Sequence, residues 1–395
     1  MQAPVGSRAH TGQAGDVTLD AAAAVARIGG VVSHVSALPA GAPGWHVRVA
    51  HIGRGLHPDA VTAPLDAAAA SMDPGDAALR AVMKAIERYA AAAWDPATFR
   101  WGSAEDLGED AVAVEELPRA QDLNPRDRIR WVEGWDLVDG RPVWVPAVTA
   151  HVGLPPAVEP EGFWPQTLTG CAAHVSLGHA VTTALLEVVE HDAVALTALL
   201  GRPLVRLAGA ESLLGAAADA GFEVSLFDAT TDVAIPVVLA VLSDDERERS
   251  VCGSAAAADP VAAGARAISE ALCVDALRRA NRKTRSEASR AGAGPTVGPL
   301  SEFVDSGHTV KLDELAKADV GKPALMRVMR DAGLRAYAVD LTTDELGDVG
   351  AVAVRVLVPG LQPQAPSGDL AFVNDRRVAR AAAALGLNSA AESPS

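Results

Sequence analysis

The chain has 395 residues, 49% hydrophobic and 21% charged, the profile of a globular protein long enough to bury a large core. Its 50 acidic and 34 basic side chains give a net charge of −16, which argues against nucleic acid, whose phosphates are neutralised by Lys and Arg. Three dispersed cysteines, Cys171, Cys252 and Cys273, make no CxxC pair or disulfide framework and read as buried structural thiols in a reducing cytoplasm.

Residues 1–17 are rich in Gly, Ala and polar side chains and carry no apolar signal-peptide core, so they read as a flexible tail. Residues 19–28 form a short apolar-periodic helix, and 31–38 and 46–51 alternate as a hairpin pair. Asp73-Pro74-Gly75-Asp76 opens a strong helix over 76–94. Residues 129–144 carry Trp131, Trp135 and Trp144 around Val138-Asp139-Gly140-Arg141, the pattern of a hairpin with a short turn, followed by a strand over 143–148. A second strong helix spans 179–200 and stops at Gly201. Strands are expected at 204–207, 223–228 and 235–242, with a helix over 210–220. The apolar run 233–242 is far short of the ~20 residues a membrane helix needs, so no membrane association is expected. A third long helix covers 260–281, and the charged stretch 278–290 reads as its fraying end and a solvated linker. Helices at 311–316 and 322–331, strands at 335–341 and 351–358, and a helix at 376–385 follow, with a flexible tail at 388–395. The mixture predicts an α+β fold.

Three of the long helices carry acids in apolar surroundings, where a charge is costly unless it has a partner. They read Lys84-Ala-Ile-Glu87-Arg88, Glu187-Val-Val-Glu190-His191 and Ile268-Ser-Glu270-Ala. Residues three apart share a helix face, so Glu187 and Glu190 aim into one site, as do residue 84 and Glu87. Hard cations such as Mg²⁺ take carboxylates, water and phosphate oxygens, and a triphosphate needs such cations. With no GxxxxGK(S/T) and no GxGxxG, nucleotide binding would rest on acids clamping a metal–phosphate complex. A metallohydrolase using His174, His179 and His191 is a weaker alternative, because these histidines have no ligand spacing and HExxH is absent.

The ordered segments resemble the YcaO family. Arg80-Ala-Val-Met-Lys84-Ala-Ile-Glu87-Arg88 resembles its first motif, SAxxExxER. Thr169-Gly-Cys-Ala-Ala-His174 with Glu187-Val-Val-Glu190-His191 resembles SNGLAAG and a second ExxER. Gly253-Ser-Ala-Ala-Ala-Ala-Asp259 with Glu270-Ala-Leu-Cys273 resembles the third, ExxQ helix. Residues 339–343, 355–363 and 374–377 resemble the closing segments, so the likeness runs over one domain at 18–387.

The resemblance implies internally repeated strand/helix units around a nucleotide cleft and an ATP- and Mg²⁺-dependent enzyme that activates a peptide backbone amide. A Cys, Ser or Thr nucleophile then gives an azoline (thiazole or oxazole type), and a sulfide source gives a thioamide, in ribosomal-peptide natural product biosynthesis. It implies Glu87, Glu187, Glu190 and Glu270 as metal–phosphate ligands, with Arg88 supporting the phosphates or the helix pair. It implies a precursor peptide as substrate and, because little chain precedes the likeness, a separate leader-binding partner protein. Arg80, Lys84, His191 and Cys273 depart from the family's Ser, Glu, Arg and Gln. Two readings of Lys84 stand side by side. It supplies a point positive charge to the triphosphate in place of one metal, or the site is degenerate and the chain is a scaffold. As a scaffold it would bind the precursor peptide, a second YcaO-like protein or another copy of itself.

Overall fold

The computed structural model describes residues 31–52, 66–112, 114, 117, 124–210, 222–244, 249–283, 305–319, 321–363 and 373–387. The tails at 1–17 and 388–395, the helix expected at 19–28, all but the first residue of the helix expected at 210–220, and most of the 278–290 stretch lie outside these residues.

Strands β1 (Val32–Leu38), β2 (His46–Ile52) and β3 (Ala67–Ser71) form an antiparallel meander. A six-stranded sheet follows the order β4-β5-β13-β14-β7, with β6 on β5; its strands are β4 (Arg100–Gly102), β5 (Ile129–Asp136), β6 (Arg141–Pro146), β7 (Cys171–His174), β13 (Tyr337–Asp340) and β14 (Val352–Leu357). A five-stranded sheet follows the order β11-β10-β9-β8-β12, from β8 (Leu204–Ala208), β9 (Glu223–Asp228), β10 (Val237–Asp244), β11 (Arg249–Ala256) and β12 (Asp305–Lys311). Strand β12 is parallel to β8, and the other pairings in this sheet are antiparallel. The fold is α+β, as the sequence predicts.

The long helices are α1 (Pro74–Ala92), α2 (Leu177–Leu200) and α3 (Pro260–Lys283), with α4 (Lys322–Asp331) and α5 (Asp375–Ala384) beyond them. Each of the first three follows a strand of small residues: β3 leads to α1, β7 to α2 and β11 to α3. Each also bridges two sheets. Helix α1 packs on β2, β3 and β7, α2 on β14, β7 and β11, and α3 on β11, β10 and β3. The three helices therefore close a ring around a common space.

Local chemistry explains these elements. The Asp73 side chain accepts the Asp76 N–H at 2.7 Å and Pro74 occupies the first turn, so α1 starts there. Its buried stripe of Ala77, Ala81, Val82, Ala85 and Ile86 is narrow enough to lie on Ala67–Ala70 of β3. Helix α2 ends as Gly201 takes a left-handed conformation, φ +57°. Gly253 on β11 is required by packing: a Cβ there would sit 2.3 Å from the Ala267 carbonyl oxygen and 2.4 Å from the Ala271 nitrogen, both on α3. Residues 311–316 do not form the expected helix. Strand β12 runs to Lys311, and a single 3-10 turn, Leu312–Glu314, buries Leu312 against α3.

The C-terminal half of α2 is locked by a buried ion network. Arg377 of α5 is wholly buried and forks onto Asp192 (Nε–Oδ1 2.8 Å, Nη2–Oδ2 2.7 Å) and Asp232 (Nη1–Oδ2 2.9 Å, Nη2–Oδ1 2.6 Å). The Gln362 N–H donates to the same Asp192 carboxylate at 2.7 Å. Among the described residues, no helix is long and apolar enough to cross a membrane.

Candidate functional site

The space inside the helix ring is a cleft of about 200 Å³. Helix α1 supplies Arg80, Lys84 and Glu87, α2 supplies Glu187, Glu190 and His191, and α3 supplies Arg266 and Glu270. Strands β7 and β11 contribute Cys171, Cys252 and Ser254. The fold thus brings six of the seven sequence-derived site residues to one cleft. Arg88 is the exception: it is not among the residues lining the cleft, and its guanidinium donates to the Asp66 carbonyl.

Three carboxylates lie here with few partners. Glu87 accepts the Ala173 N–H and Glu187 the Gly170 N–H, each at 3.3 Å, and Glu190 accepts the Ser254 hydroxyl at 2.7 Å. Burial penalises their charged forms. It pushes Glu87 up to about 7 and Glu190 up to about 8. Burial, with the neighbouring Glu87 charge adding to it, pushes Glu187 up to about 8. The Gly170 turn makes this approach possible, because a Cβ there (φ +80°) would sit 2.3 Å from the Val356 carbonyl oxygen.

Glu270 differs. Lys84 Nζ lies 2.9 Å from its Oε2, and both side chains remain partly open to the cleft, 38% and 40% exposed. The ammonium holds the Glu270 carboxyl below the usual carboxylate range, and Glu270 raises Lys84 in turn. The fourth expected metal ligand is therefore already neutralised by a protein cation.

His191 shares a 2.7 Å hydrogen bond between Nδ1 and Thr169 Oγ1, and its Nε2 is 4.0 Å from Glu187. Burial pushes its imidazole down to about 4, so it is neutral at pH 7 and brings no positive charge. Cys273, which replaces the family's glutamine, is pushed by burial up to about 12 and stays a thiol. His174 and His179 pack with their rings tilted by 40° and centroids 4.8 Å apart, and they are not part of the cleft lining.

Sequence reasoning missed Ser254, Thr169 and Arg266. Ser254 sits in a segment of small residues whose spacing gave no sign of a partner. Arg266 precedes Glu270 by one helical turn, and that i, i+4 spacing was the available signal.

The donor set fits Mg²⁺ accompanied by a phosphate ligand. Oxygen atoms from Glu87, Glu187 and Glu190 suit a hard cation, whose charge would offset their burial. Among the described residues no three acid, His or Cys side chains cluster closely enough to hold an ion by themselves, so phosphate oxygens and water must complete the coordination.

A family model described as a YcaO cyclodehydratase, ATP- and Mg²⁺-binding, matches residues 69–362. An uncharacterized protein of Methanothermobacter thermautotrophicus is 28% identical over 307 residues, which cover 71% of this chain and 78% of that protein. The structure of YcaO from Methanopyrus kandleri, bound with AMPPCP and Mg²⁺, is similar in fold at a TM-score of 0.66 and 24% identity, covering 86% of this chain and 87% of that one. A heterocyclase in complex with substrate and cofactor is similar at a TM-score of 0.69 and 18% identity. That likeness covers 84% of this chain but 50% of the heterocyclase, so the chain spans half the length of that protein.

Proposed function

The chain belongs to the YcaO family, and from that premise we propose that it is an ATP- and Mg²⁺-dependent enzyme activating a backbone amide of a ribosomally made precursor peptide. The observation that carries this reading is the set of weakly partnered carboxylates, Glu87, Glu187 and Glu190, converging in one cleft. They are unfavourable there without a cation, and ATP and Mg²⁺ are the cofactors of the family.

Bound Mg²⁺–ATP supplies a phosphoryl group that turns an amide oxygen, a poor leaving group, into a good one. The chain's own residues hold the geometry. Ser254 orients Glu190, and the Gly170 and Ala173 N–H groups orient Glu187 and Glu87. Thr169 fixes His191 beside Glu187 as a neutral hydrogen-bonding group. The nucleophile is a Cys, Ser or Thr side chain of the peptide, giving an azoline, or a sulfide source, giving a thioamide. The fold neighbour solved as a heterocyclase with its substrate supports the peptide reading, and a leader-binding partner protein would deliver that peptide.

The test is calorimetry of the chain with ATP and Mg²⁺ in the presence of precursor peptide and partner. Binding heat and ATP turnover are expected; no heat under these conditions overturns the proposal. A second reading, a scaffold that pairs with an active YcaO protein or with another copy, is favoured by one observation: the Lys84–Glu270 pair occupies a place where the family motif has two acids. It predicts co-purification with a second YcaO-like protein, and full activity of this chain with peptide and partner alone overturns it.

A further inference from the structure

We propose that Arg80, Lys84 and Arg266 form a basic strip that grips the phosphate chain directly, so that one divalent cation, held by phosphate oxygens and water beside Glu87, Glu187 and Glu190, is sufficient. This rests on the nucleotide reading above and assigns the two ends of the cleft different tasks.

Arg80 and Lys84 are four apart on α1, and Arg266 and Glu270 are four apart on α3, so each pair shares a helix face. The Lys84–Glu270 bond at 2.9 Å fixes the two helices side by side. One turn away, Arg80 and Arg266 line the same cleft. Among the described residues Arg80 makes a 3.3 Å bond to the Ala70 carbonyl and a 3.7 Å contact with Asp76. Arg266 is exposed and makes no hydrogen bond or ion pair among the described residues; desolvation and then Arg80 act against its charge, while Glu190 and Asp76 favour it. Asp76 and Glu190 lie near these two guanidiniums, and an added anion between them would relieve their mutual repulsion further.

Lys84 reinforces the strip. An ammonium has three donors, and Glu270 takes one. A divalent ion bound at Glu270 would have to sit against that ammonium, so cation binding is confined to the other three carboxylates. The cleft is thus electrically divided. Its α1/α3 mouth is basic and its α1/α2 wall acidic, which matches a nucleotide whose phosphates meet protein cations on one side and a metal on the other.

The test is calorimetry of the full chain with inorganic tripolyphosphate in EDTA, beside AMPPCP with and without Mg²⁺. Tripolyphosphate should bind without any divalent cation. R80A and R266A should each weaken it about tenfold, the weight of one charge-assisted hydrogen bond, while R266K largely restores binding. Electron paramagnetic resonance should count one Mn²⁺ per bound AMPPCP in the wild-type chain and a second in K84E. AMPPCP binding that requires Mg²⁺, with no tripolyphosphate binding in EDTA, overturns the strip and leaves the nucleotide reading intact; so do two Mn²⁺ per AMPPCP in the wild type. Binding of neither ligand under any condition overturns both.

Discussion

Arg377→Met isolates the device that holds α2 in place. The guanidinium makes two bonds to Asp192 and two to Asp232, and its side chain, like that of Asp192, is 0% exposed. Asp232 is 19% exposed and also faces Arg380 at 3.8 Å, so water and a second cation relieve it. Asp192 has no such relief and, among the described residues, would keep the Gln362 N–H alone. Removing one partner of a buried ion pair costs about 3–5 kcal/mol, because the other charge stays buried. That is a large share of the ~5–15 kcal/mol that holds a domain together. Urea denaturation should show a midpoint lower by roughly 1 M or more, taking a slope of about 3 kcal/mol/M. Arg377→Lys should fall between, keeping the charge and losing the fork. Asp192→Leu with Arg377→Met should recover most of the loss, since an apolar pair removes the stranded charge. A cost under about 1 kcal/mol for Arg377→Met, or a double variant no more stable than the single one, rules out a stranded buried charge as the cause. Asp192 follows Glu190 and His191, so the single variant should also weaken nucleotide binding.

Stability of the metal-free chain should depend on pH with a definite sign. Glu87, Glu187 and Glu190 titrate near 7, 8 and 8 when folded, against about 4.5 when unfolded. The stability they allow is complete below about 4.5 and is lost as pH rises through 7 to 8. Thermal melts from pH 5 to 9 should fall with pH, less steeply with Mg²⁺ and nucleotide present, and a flat profile would contradict the burial of these acids. Ser254→Ala should weaken Mn²⁺ binding with AMPPCP several-fold at pH 7 and less at pH 9, because the lost hydroxyl favours the ionised Glu190. Gly253→Ala should force β11 and α3 apart at the 2.3 Å contact, costing about 1–3 kcal/mol or more in denaturant melts and weakening nucleotide binding.

Much of this architecture was legible. The 3.6-residue periodicity gave all three site helices, and Asp73-Pro74 and Gly201 marked two of their ends because capping is local chemistry. The strands that feed those helices were not. Ala67–Ser71, Cys171–His174 and Arg249–Ala256 are built from small residues with no β-branched alternation, since a helix must lie close on each. The acids Glu87, Glu187, Glu190 and Glu270 could be read from their apolar flanks, and all four line the cleft. Their counter-ions could not. Lys84 looked like a defect of its own helix, but its partner Glu270 is 186 positions along the chain. Spacing along one helix carries no information about a bond between two.

That 186-residue separation also sets when the cleft can exist. Closing so long a span has an entropic cost that grows with its length, so the bond belongs to the late, slow contacts of folding. A nascent chain that has emitted α1 and α2 still lacks α3 and the strip's Arg266, and cannot yet hold a nucleotide as the finished cleft does. A nucleotide that recognises only the closed ring draws on the whole folded population, and by mass action it stabilises the molecule against global unfolding.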